Sequence, residues 1–422
     1  MEAKIRKIYD ICIIFLKKSC HIEIKYLFLQ KNNMKITYIY TALVTRGGAD
    51  RVITNKANWL AEHGYDVMII TDTQLGREPV YPLSPKVVLH DLSIDFSREY
   101  GHVLPVRAWW YFVLMRQYRR KLTEVLMKRR SDVVITTLGR DLDFLTKIND
   151  GSVKIGESHI ARRFSRNFHL MEQKGGLHQF IAKIWRKKQE RDVSRLNALV
   201  LLTQADAASW QGVTRTYVIP NPTPFYPVAS SSCESHKAIC VGRLNEQKGY
   251  EYLIDAWAIA SRRHPDWVLN VYGSGEIKEQ LQDRIKERGV QDKLFIHDPV
   301  NNIVEKYLES SLYIMSSRFE GFPMVLLEAM SCGLPCVSFN CPNGAKDLIQ
   351  DGRNGFLVEY LNVTQLAESI CRLIEDSSLR KQFGESAKED VQKYLPDSIM
   401  IFWTELFKSI CKEQQNGETG IC

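Results

Sequence analysis

The amino-acid sequence predicts an α/β protein built from two doubly wound parallel-sheet domains that face each other across a cleft. Short, almost uncharged strand-like segments alternate with helical patterns from Met34 onward, and this alternation occurs twice. The stretch PNPTPFYPVASSSCES, rich in Pro and Ser as linkers are, separates the two series near residues 218–236. Because ligands of such sheets bind beyond the C-terminal ends of the strands, the cleft between the domains is the expected site.

The first series begins with the strand KITYIY and the helical pattern GGADRVITNKANWLAEHG, which ends at Gly64. The strands YDVMIIT and VVLHDL follow, and then a long helical pattern covers residues 106–130. SDVVITT and VKIGESH are the next strands, a helix covers about residues 177–195, and ALVLLT and TYVIPNP complete the series. Since these strands carry few charges, we expect helices to cover both faces of the sheet.

The second series has HKAICVG, WVLNVYG, KLFIHD, LYIMSS and PCVSFN as strands. The helical patterns between them are GYEYLIDAWAIASRRHP, KEQLQDRIKERG, NNIVEKYLESS and MVLLEAMSCG. An amphipathic segment, LPDSIMIFWTELFKSI, closes the chain at residues 395–410. We therefore divide the chain into an N-terminal extension (1–33), a first domain (34–217), a second domain (218–396) and a final helix with a tail (397–422).

Charge is unevenly distributed along the 422 residues, whose 57 Lys and Arg against 49 Asp and Glu give a net charge of +8. Residues 34–217 carry 29 basic and 18 acidic side chains, a net +11, whereas residues 218–422 carry 21 and 28, a net −7. This asymmetry indicates that the first domain faces an anionic partner, such as lipid, a phosphorylated substrate or nucleic acid. Ordinary solvated faces are the alternative interpretation.

Cysteine spacing and hydropathy make several other classes improbable. The ten cysteines are irregularly spaced without a CxxC pair, so we expect no zinc site and mostly buried free thiols in a reducing cytosol. The sequence has no apolar run of about 18 residues and no secretory signal with a clean cleavage site. Residues 1–33 could lie on a membrane surface as a basic amphipathic element, but we hypothesise that translation naturally begins at Met34.

The segment SSRFEGFPMVLLEAMSCGLPCVSF, residues 316–339, carries the strongest chemical signal. Glu320 and Glu328 are eight positions apart, and Pro323 suits the first turn of a helix that ends at Gly333. Glu320 then lies in the loop before this helix, and Glu328 lies within it. Free backbone N–H groups at the helix start attract anions, and carboxylates accept hydrogen bonds from hydroxyls. The segment therefore suits a sugar nucleotide.

This segment resembles the Glu-x7-Glu motif of family 4 retaining glycosyltransferases, which have the GT-B fold. Five further segments resemble motifs of that family and follow its order: RGGADRV (46–52), VIPNP (218–222), VGRLNEQKGYEYLIDAW (241–257), VYGSGE (271–276) and CPNGAKDLIQDGRNGFLV (341–358). The resemblance covers about residues 34–415 and is greatest to bacterial enzymes that build capsular or exopolysaccharides. It implies two Rossmann-like domains facing across a cleft and a C-terminal helix that crosses back to the first domain.

The resemblance also implies roles for individual residues. Glu320 matches a carboxylate near the donor sugar and His159 matches a histidine near it, so these two are the predicted catalytic residues. A structural histidine is the alternative interpretation of His159. The predicted donor-binding residues are Gly47, Gly48, Arg243, Lys248, Gly321, Phe322, Pro323, Met324, Val325 and Glu328. Fixed cations also suit a diphosphate leaving group on chemical grounds. The resemblance implies no metal ion and no cofactor besides the nucleotide sugar as co-substrate.

Basic clusters in the first domain indicate how an acceptor could bind. Arg162, Arg163 and Arg166 follow His159 directly, so we expect them at the cleft mouth, as tentative contacts to acceptor phosphates. The helix over residues 106–130 combines an apolar face with many arginines, which suits anionic lipid. A core-packing helix with one solvated face is the alternative interpretation. In enzymes of the family that this chain resembles, the N-terminal domain handles the acceptor and meets the membrane.

Together these features predict a retaining hexosyltransferase that uses a nucleotide sugar, with UDP as the expected nucleotide. The expected acceptor is a glycan on polyprenyl diphosphate, in the synthesis of a surface polysaccharide. We expect a cytoplasmic protein, attached peripherally to anionic lipid on the inner face of the cell membrane, without a nucleic-acid partner. Two alternatives stay open: a catalytically silent GT-B scaffold of a membrane assembly, and a sugar-nucleotide epimerase.

Overall fold

A computed structural model describes residues 33–167, 172 and 175–418 of the chain, and these residues form two parallel β-sheets. The first sheet has seven strands: β1 (Lys35–Tyr40), β2 (Asp66–Thr71), β3 (Val88–Asp91), β4 (Val133–Thr136), β5 (Val153–Glu157), β6 (Ala198–Leu201) and β7 (Thr216–Val218). Their order is β3-β2-β1-β4-β5-β6-β7, and all neighbours are parallel. From β1 the chain therefore adds β2 and β3 on one side of the sheet and then β4 to β7 on the other, as in a doubly wound fold.

The central strands of the first sheet are buried on both faces, because helices cover the sheet. The side chains of β4, VVIT, and β6, ALVL, are all buried, as expected for parallel strands between helix layers. The helices are α1 (Gly48–Glu62), α2 (Leu104–Arg129), α3 (Gly176–Val193) and α4 (Gln204–Ser209). The two long helices predicted over residues 106–130 and about 177–195 are confirmed with shifts of one or two residues.

The second sheet has six strands in the order β10-β9-β8-β11-β12-β13, again all parallel. They are β8 (Lys237–Val241), β9 (Val268–Tyr272), β10 (Leu294–His297), β11 (Leu312–Met315), β12 (Cys336–Phe339) and β13 (Gly355–Val358). The helices are α5 (Tyr250–Arg263), α6 (Lys278–Glu287), α7 (Ile303–Leu308), α8 (Met324–Ser331), α9 (Ala345–Leu348), α10 (Val363–Glu375) and α11 (Ser377–Asp390). The predicted strands are confirmed. The sixth, β13, was not predicted, because it is only four residues long and begins with a glycine.

The last helix, α12 (Pro396–Glu418), crosses back to the first domain, as predicted. The Trp59 indole Nε1 of α1 donates a hydrogen bond of 2.7 Å to Asp397 Oδ1 near the start of α12. Near the other end of α12, Glu413 forms an ion pair with Arg215 of the first domain, with 2.5 Å between Oε2 and Nη1. The two Rossmann-like domains and this crossing helix confirm the predicted fold class.

Several sequence-based expectations concern the chain outside the two sheets. Residues 1–32 lie outside the described residues, so both interpretations of the N-terminal extension stay predictions. In the part of the chain that the structure describes, no helix is both long and apolar enough to cross a membrane. The cysteines of that part are free thiols, and all but Cys411 are buried.

Candidate active site

A cleft of about 2260 Å³ separates the two domains and is lined by residues from both. The first domain lines it with the loops that follow β1 and β5, and the second domain with those that follow β8, β9 and β11. All five loops lie at C-terminal strand ends, where doubly wound sheets bind their ligands. The site was predicted in the cleft between the domains, and this interdomain cleft is where the structure places these loops.

The loop between β1 and α1 forms the first wall, and the buried carboxylate of Asp50 organises it. Asp50 Oδ1 accepts a hydrogen bond of 2.7 Å from the Tyr40 hydroxyl. Asp50 Oδ2 accepts from the backbone N–H and the hydroxyl of Thr45, at 2.8 and 2.9 Å. Gly47 therefore ends a loop that α1 holds in place, Gly48 begins that helix, and both glycines line the cleft wall.

The opposite wall carries an ion pair between two predicted site residues. Lys248 Nζ lies 2.7 Å from Glu320 Oε1, and the Ser317 hydroxyl donates to the same oxygen at 2.7 Å. Gly249 follows Lys248 in the left-handed region (φ +59°), and a Cβ there would lie only 2.4 Å from the Ser316 carbonyl oxygen. A glycine at this position therefore lets the lysine loop pack directly on the strand that leads to Glu320.

Arg243 presents an exposed cation on the same wall. Its guanidinium has neither a hydrogen bond nor an ion pair with another side chain among the residues that the structure describes. The wall therefore combines a lysine already fixed by Glu320 with an arginine that is available to an anionic ligand. Such a pair of cations can hold a diphosphate.

Glu328, on α8, is a buried carboxylate with partners from both domains. Its Oε1 lies 3.1 Å from Arg51 Nη1 of the first domain, and its Oε2 accepts from the Tyr307 hydroxyl at 3.0 Å. Burial raises the pKa of Glu328, and the charge of Arg51 and the hydrogen bond from Tyr307 oppose that rise. Each carboxylate oxygen has a second lone pair, so ligand hydroxyls could still bind.

His159 lies just beyond β5 and lines the cleft from the first domain. Neither ring nitrogen has a hydrogen-bond partner among the described residues, although Nε2 lies 3.4 Å from Glu157 Oε1. Burial lowers the pKa of His159, Glu157 opposes this change and the charge of Lys56 adds to it. The lowered pKa therefore favours the neutral ring. Unpartnered nitrogens are unusual for a structural histidine in a protein interior, so they count against that alternative.

The two domains contact each other beside these residues. A Cβ on Gly321 would lie 2.4 Å from the His159 carbonyl oxygen, so the loop and the strand end touch backbone to backbone. The rings of Phe164 and Phe319 stack across the cleft with centroids 3.8 Å apart. A Cβ on Gly48 would likewise lie 3.3 Å from a side-chain carbon of Met324. The sequence analysis named Gly48, His159, Gly321 and Met324 as site residues, but it predicted neither the stacked rings nor the contact itself.

Some predicted site residues lie elsewhere than expected. Pro323 directly precedes α8, rather than lying in its first turn, and is buried away from the cleft wall. Phe322, Met324 and Val325 do line the cleft.

The three predicted acceptor arginines have different surroundings. Arg162 pairs with Glu190 and lies 4.4 Å over the Trp210 ring, inside its own domain. Arg163 is exposed on the cleft wall. The side chain of Arg166 lies outside the part that the structure describes.

Sequence reasoning missed three charged residues of the site. Arg51 lies in the RGGADRV segment, but nothing local indicates that it meets Glu328, which is 277 positions away. Lys56 and Glu157 form a buried ion pair behind His159. A lysine in a helix and a glutamate at the end of a strand look like ordinary surface residues in sequence, so no signal could have identified this pair.

The described residues also bear on metal binding. They contain no group of three or more His, Cys, Asp or Glu side chains that could hold a metal ion.

Comparison with known proteins finds glycosyltransferases along most of the chain. Residues 230–390 match the family model described as glycosyl transferases group 1. An uncharacterized glycosyltransferase of Haemophilus influenzae is 28% identical over 378 residues, covering 87% of this chain and 98% of the relative. The amylovoran biosynthesis glycosyltransferase AmsD of Erwinia amylovora is 26% identical, covering 88% and 99%. An α-1,4-N-acetyl-D-galactosaminyltransferase of Campylobacter jejuni, named for a PP-undecaprenol-linked substrate, is 26% identical, covering 89% and 99%.

Solved structures share the fold at low sequence identity. A mutant of TarM from S. aureus, in complex with UDP among other ligands, has a TM-score of 0.71 at 15% identity, covering 89% of this chain and 99% of TarM. Sucrose-phosphate synthase from Thermosynechococcus elongatus has a TM-score of 0.73 at 17% identity, covering 90% and 99%. The chain is thus a glycosyltransferase with the GT-B fold, and its residues 230–390 match the model of glycosyl transferases group 1.

Proposed function

We propose that this glycosyltransferase moves a hexosyl unit, with retention of configuration, from a UDP-sugar to a glycan carried on polyprenyl diphosphate. One observation carries the proposal: Lys248, Glu320 and Glu328 lie with the available cation of Arg243 in a single interdomain cleft. The relatives named for amylovoran biosynthesis and for a PP-undecaprenol substrate support a role in surface polysaccharide synthesis. The UDP bound to TarM supports the choice of nucleotide.

The donor would lie along the second-domain wall. Arg243 and Lys248 would hold the diphosphate, together with backbone N–H groups at the start of α8, where the helix dipole favours negative charge. Glu328 would accept hydrogen bonds from the ribose hydroxyls. Glu320, held by Lys248 and Ser317, would stand beside the donor sugar. This arrangement uses each buried carboxylate as an acceptor for hydroxyls, which explains acidic residues next to a phosphate site.

Retention follows if the acceptor hydroxyl attacks the face from which the diphosphate leaves. The bond between the acceptor oxygen and the anomeric carbon forms, and the bond from that carbon to the phosphate oxygen breaks with its electron pair. The leaving phosphate takes the hydroxyl proton, and Arg243 and Lys248 stabilise its charge without a metal ion. Contact between the domains at Gly321 would exclude water and so limit donor hydrolysis.

The acceptor side would meet the membrane through the tip of α2, defined here as residues 103–112. This tip projects from the domain, with Val103, Trp109 and Phe112 exposed by 70%, 58% and 65%. The second half of α2 instead packs its apolar face into the core, for example through Tyr118 and Leu122. The core-packing interpretation therefore holds for the second half of the helix, and we assign the lipid-facing role to its tip. Exposed aromatic rings beside arginines suit the headgroup region of an anionic bilayer, at the cytoplasmic face of the cell membrane.

A transfer assay tests the proposal. The purified full-length protein is incubated with a panel of UDP-sugars and other sugar nucleotides and with a polyprenyl-diphosphate-linked glycan, with and without EDTA. We expect a product whose new linkage keeps the anomeric configuration by NMR and whose rate EDTA leaves unchanged. Glu320→Gln and Lys248→Met should each lower the rate by about 100-fold, whereas Glu368→Gln, in an exposed ion pair outside the cleft, should not.

Two outcomes would favour the alternatives. If nucleotide binds but no donor is consumed with any acceptor, the protein acts as a silent scaffold. If the donor is converted to its epimer without acceptor, it is an epimerase. An inverted product would overturn retention while leaving transfer intact, and a rate lost in EDTA would overturn metal independence.

A further inference from the structure

A buried ion pair lies directly behind His159. Lys56 Nζ of α1 lies 2.7 Å from Glu157 Oε1 at the end of β5, and both side chains are 1% exposed. His159 Nε2 lies 3.4 Å from the same oxygen. The carboxylate of Glu157 thus stands between a lysine ammonium and the imidazole. Its other oxygen, Oε2, has no hydrogen-bond partner among the described residues.

Stability alone does not account for this pair. The cost of removing two charges from water can exceed their mutual attraction, and apolar residues of similar volume often fold as well. An ion pair left with an unsatisfied carboxylate oxygen is a poor stabiliser. The pair therefore calls for a role other than holding the domain together, and His159 is the cleft-lining group that it touches.

The C-terminal helix α12 also contacts this buried ion pair, through Trp403. The Trp403 ring centroid lies 3.5 Å from Lys56 Nζ, and Trp403 is fully buried. The face of an indole ring attracts a cation, most strongly where water is excluded. Trp403 therefore stabilises a lysine ammonium that has lost its hydration, and it ties α12 to the residues behind the cleft.

We propose that Lys56 and Glu157 are positioning residues for His159 and that Trp403 completes their support from the C-terminal helix. The negative charge of Glu157, which Lys56 holds in place, favours the imidazole tautomer with the proton on Nε2, the nitrogen 3.4 Å from Glu157 Oε1, and leaves a lone pair on Nδ1. The inference rests on the proposed function in one respect, the contact of His159 with the donor sugar. Its structural part, the control of the imidazole by the buried pair, is independent of what the enzyme transfers.

The charges around His159 determine the direction in which each variant should shift the pKa of this histidine. Besides burial, two charged groups act on its pKa: Glu157 raises it and Lys56 lowers it. Tyr38, from β1, stays neutral, since burial and the charge of Glu157 hold its pKa well above the usual range. Removing the carboxylate should therefore lower the pKa of His159 further. Removing the ammonium should raise the pKa of His159 at pH values where Glu157 stays ionised.

The experiment follows the histidine itself. The full-length protein, labelled with ¹⁵N and ¹³C histidine, is titrated by NMR as wild type, Glu157→Gln and Lys56→Met, with His159→Gln to assign the signal. We expect the pKa of His159 to fall in Glu157→Gln and to rise in Lys56→Met, and the Nε2-protonated tautomer to be lost in Glu157→Gln. The matched control is the buried pair of Lys154 and Asp150, whose lysine lies on the same strand away from the cleft. Lys154→Met with Asp150→Asn should change neither the pKa nor the tautomer.

Kinetics and a double variant complete the test. Each of Glu157→Gln and Trp403→Leu should lower kcat roughly 10- to 100-fold with KM within about threefold, because a misplaced group costs catalysis more than binding. Trp403→Phe, which keeps an aromatic face, should recover most of kcat. Should Lys56→Met not fold, the double variant Lys56→Met with Glu157→Gln removes both charges, and it should still lose the tautomer.

The outcomes separate this inference from the proposed function. An unchanged pKa and tautomer of His159 in Glu157→Gln would overturn the positioning role, even in an active transferase. A wild-type protein that transfers no sugar, with the expected NMR shifts present, would overturn the proposed function and leave the control of the imidazole intact.

Discussion

Arg51 and Glu328 form an ion pair across the interdomain cleft, with 3.1 Å between Nη1 and Oε1. The guanidinium of Arg51 also lies 5.3 Å from the Tyr81 ring and 5.1 Å from the Phe225 ring, so its position is well defined. The carboxylate expected to bind the ribose is therefore held partly by the opposite domain. It follows that the nucleotide site of the second domain is complete only when the first domain is close to it.

Replacing Arg51 should weaken nucleotide binding. Arg51→Met leaves Glu328 buried with only Tyr307 as a partner, and a buried carboxylate that loses its cation tends to take up a proton. We expect the Kd for UDP, measured by titration calorimetry, to rise about tenfold, which corresponds to about 1.4 kcal/mol. The Kd for UDP of Arg51→Lys should lie between those of the wild type and Arg51→Met, because lysine keeps the charge of arginine but not its planar guanidinium.

A control shows whether the effect is specific to the cleft. Arg263 pairs with Glu368 on the surface of the second domain, outside the cleft. Arg263→Met removes the same type of side chain and should leave the Kd for UDP unchanged. Equal weakening by both variants, or none by Arg51→Met, would contradict a specific role for the pair.

The same pair should set how nucleotide binding depends on pH. Burial raises the pKa of Glu328, and Arg51 and Tyr307 lower it. The ribose hydroxyls bind the ionised carboxylate, so affinity for UDP should decrease as the pH falls through the pKa of Glu328. In Arg51→Met that pKa rises, and the loss of affinity should begin at a higher pH. Titrations of the wild type and Arg51→Met with UDP between pH 5 and 8 would reveal this difference. Coincident pH profiles of the two proteins would contradict the assignment of Glu328 to the ribose.

The sequence predicted what local patterns encode, and it missed what docking creates. Glu320 and Glu328 became candidates because a short motif fixes them relative to a loop and a helix, and Lys248 became one through a motif that resembles the family's. The partner of Glu328 could not, because Arg51 reaches it only after two separately folded sheets are brought together. Lys56 and Glu157 were missed for a related reason: their burial depends on α12, which closes over them from the far end of the chain.

Gly321 should be sensitive to a single methyl group. A Cβ there would lie 2.4 Å from the His159 carbonyl oxygen, a backbone atom of the opposite domain that cannot move alone. Gly321→Ala should therefore keep the domains from meeting while each domain still folds. We expect kcat for transfer to fall at least tenfold, in line with the cost of a displacement of about 1 Å. The fraction of donor lost to hydrolysis should rise, since the cleft excludes water less well.

Two measurements on Gly321→Ala separate closure from folding. The thermal unfolding midpoint should stay within a few degrees of the wild type, because the new methyl group strains the contact between domains and not a core. Small-angle X-ray scattering with UDP should give a larger radius of gyration than the wild type. A marked loss of thermal stability, or a wild-type radius together with wild-type kcat, would show that this contact does not limit closure.

The tip of α2 should bind anionic membranes through its aromatic side chains. Trp109→Ser with Phe112→Ser removes two rings that are more than half exposed. Burying a large apolar side chain contributes roughly 1.5–3 kcal/mol, so the double variant should lose at least tenfold in affinity for phosphatidylglycerol vesicles in sedimentation assays. Because apolar contacts are not screened, this loss should persist at 0.5 M salt.

Arginines of the same helix should contribute differently. Arg116, Arg119 and Arg120 are exposed on α2, and each basic residue near an anionic surface contributes about 1 kcal/mol at low ionic strength. Replacing all three by Gln should weaken vesicle binding strongly at 0.05 M salt and little at 0.5 M, since salt screens exposed charges. Phe295→Ser, at an exposed ring of the second domain, is the matched control and should bind as the wild type does. Equal weakening by Phe295→Ser and by the double change at Trp109 and Phe112 would contradict the proposed membrane contact of this helix. Wild-type salt dependence in the arginine variant would contradict it as well.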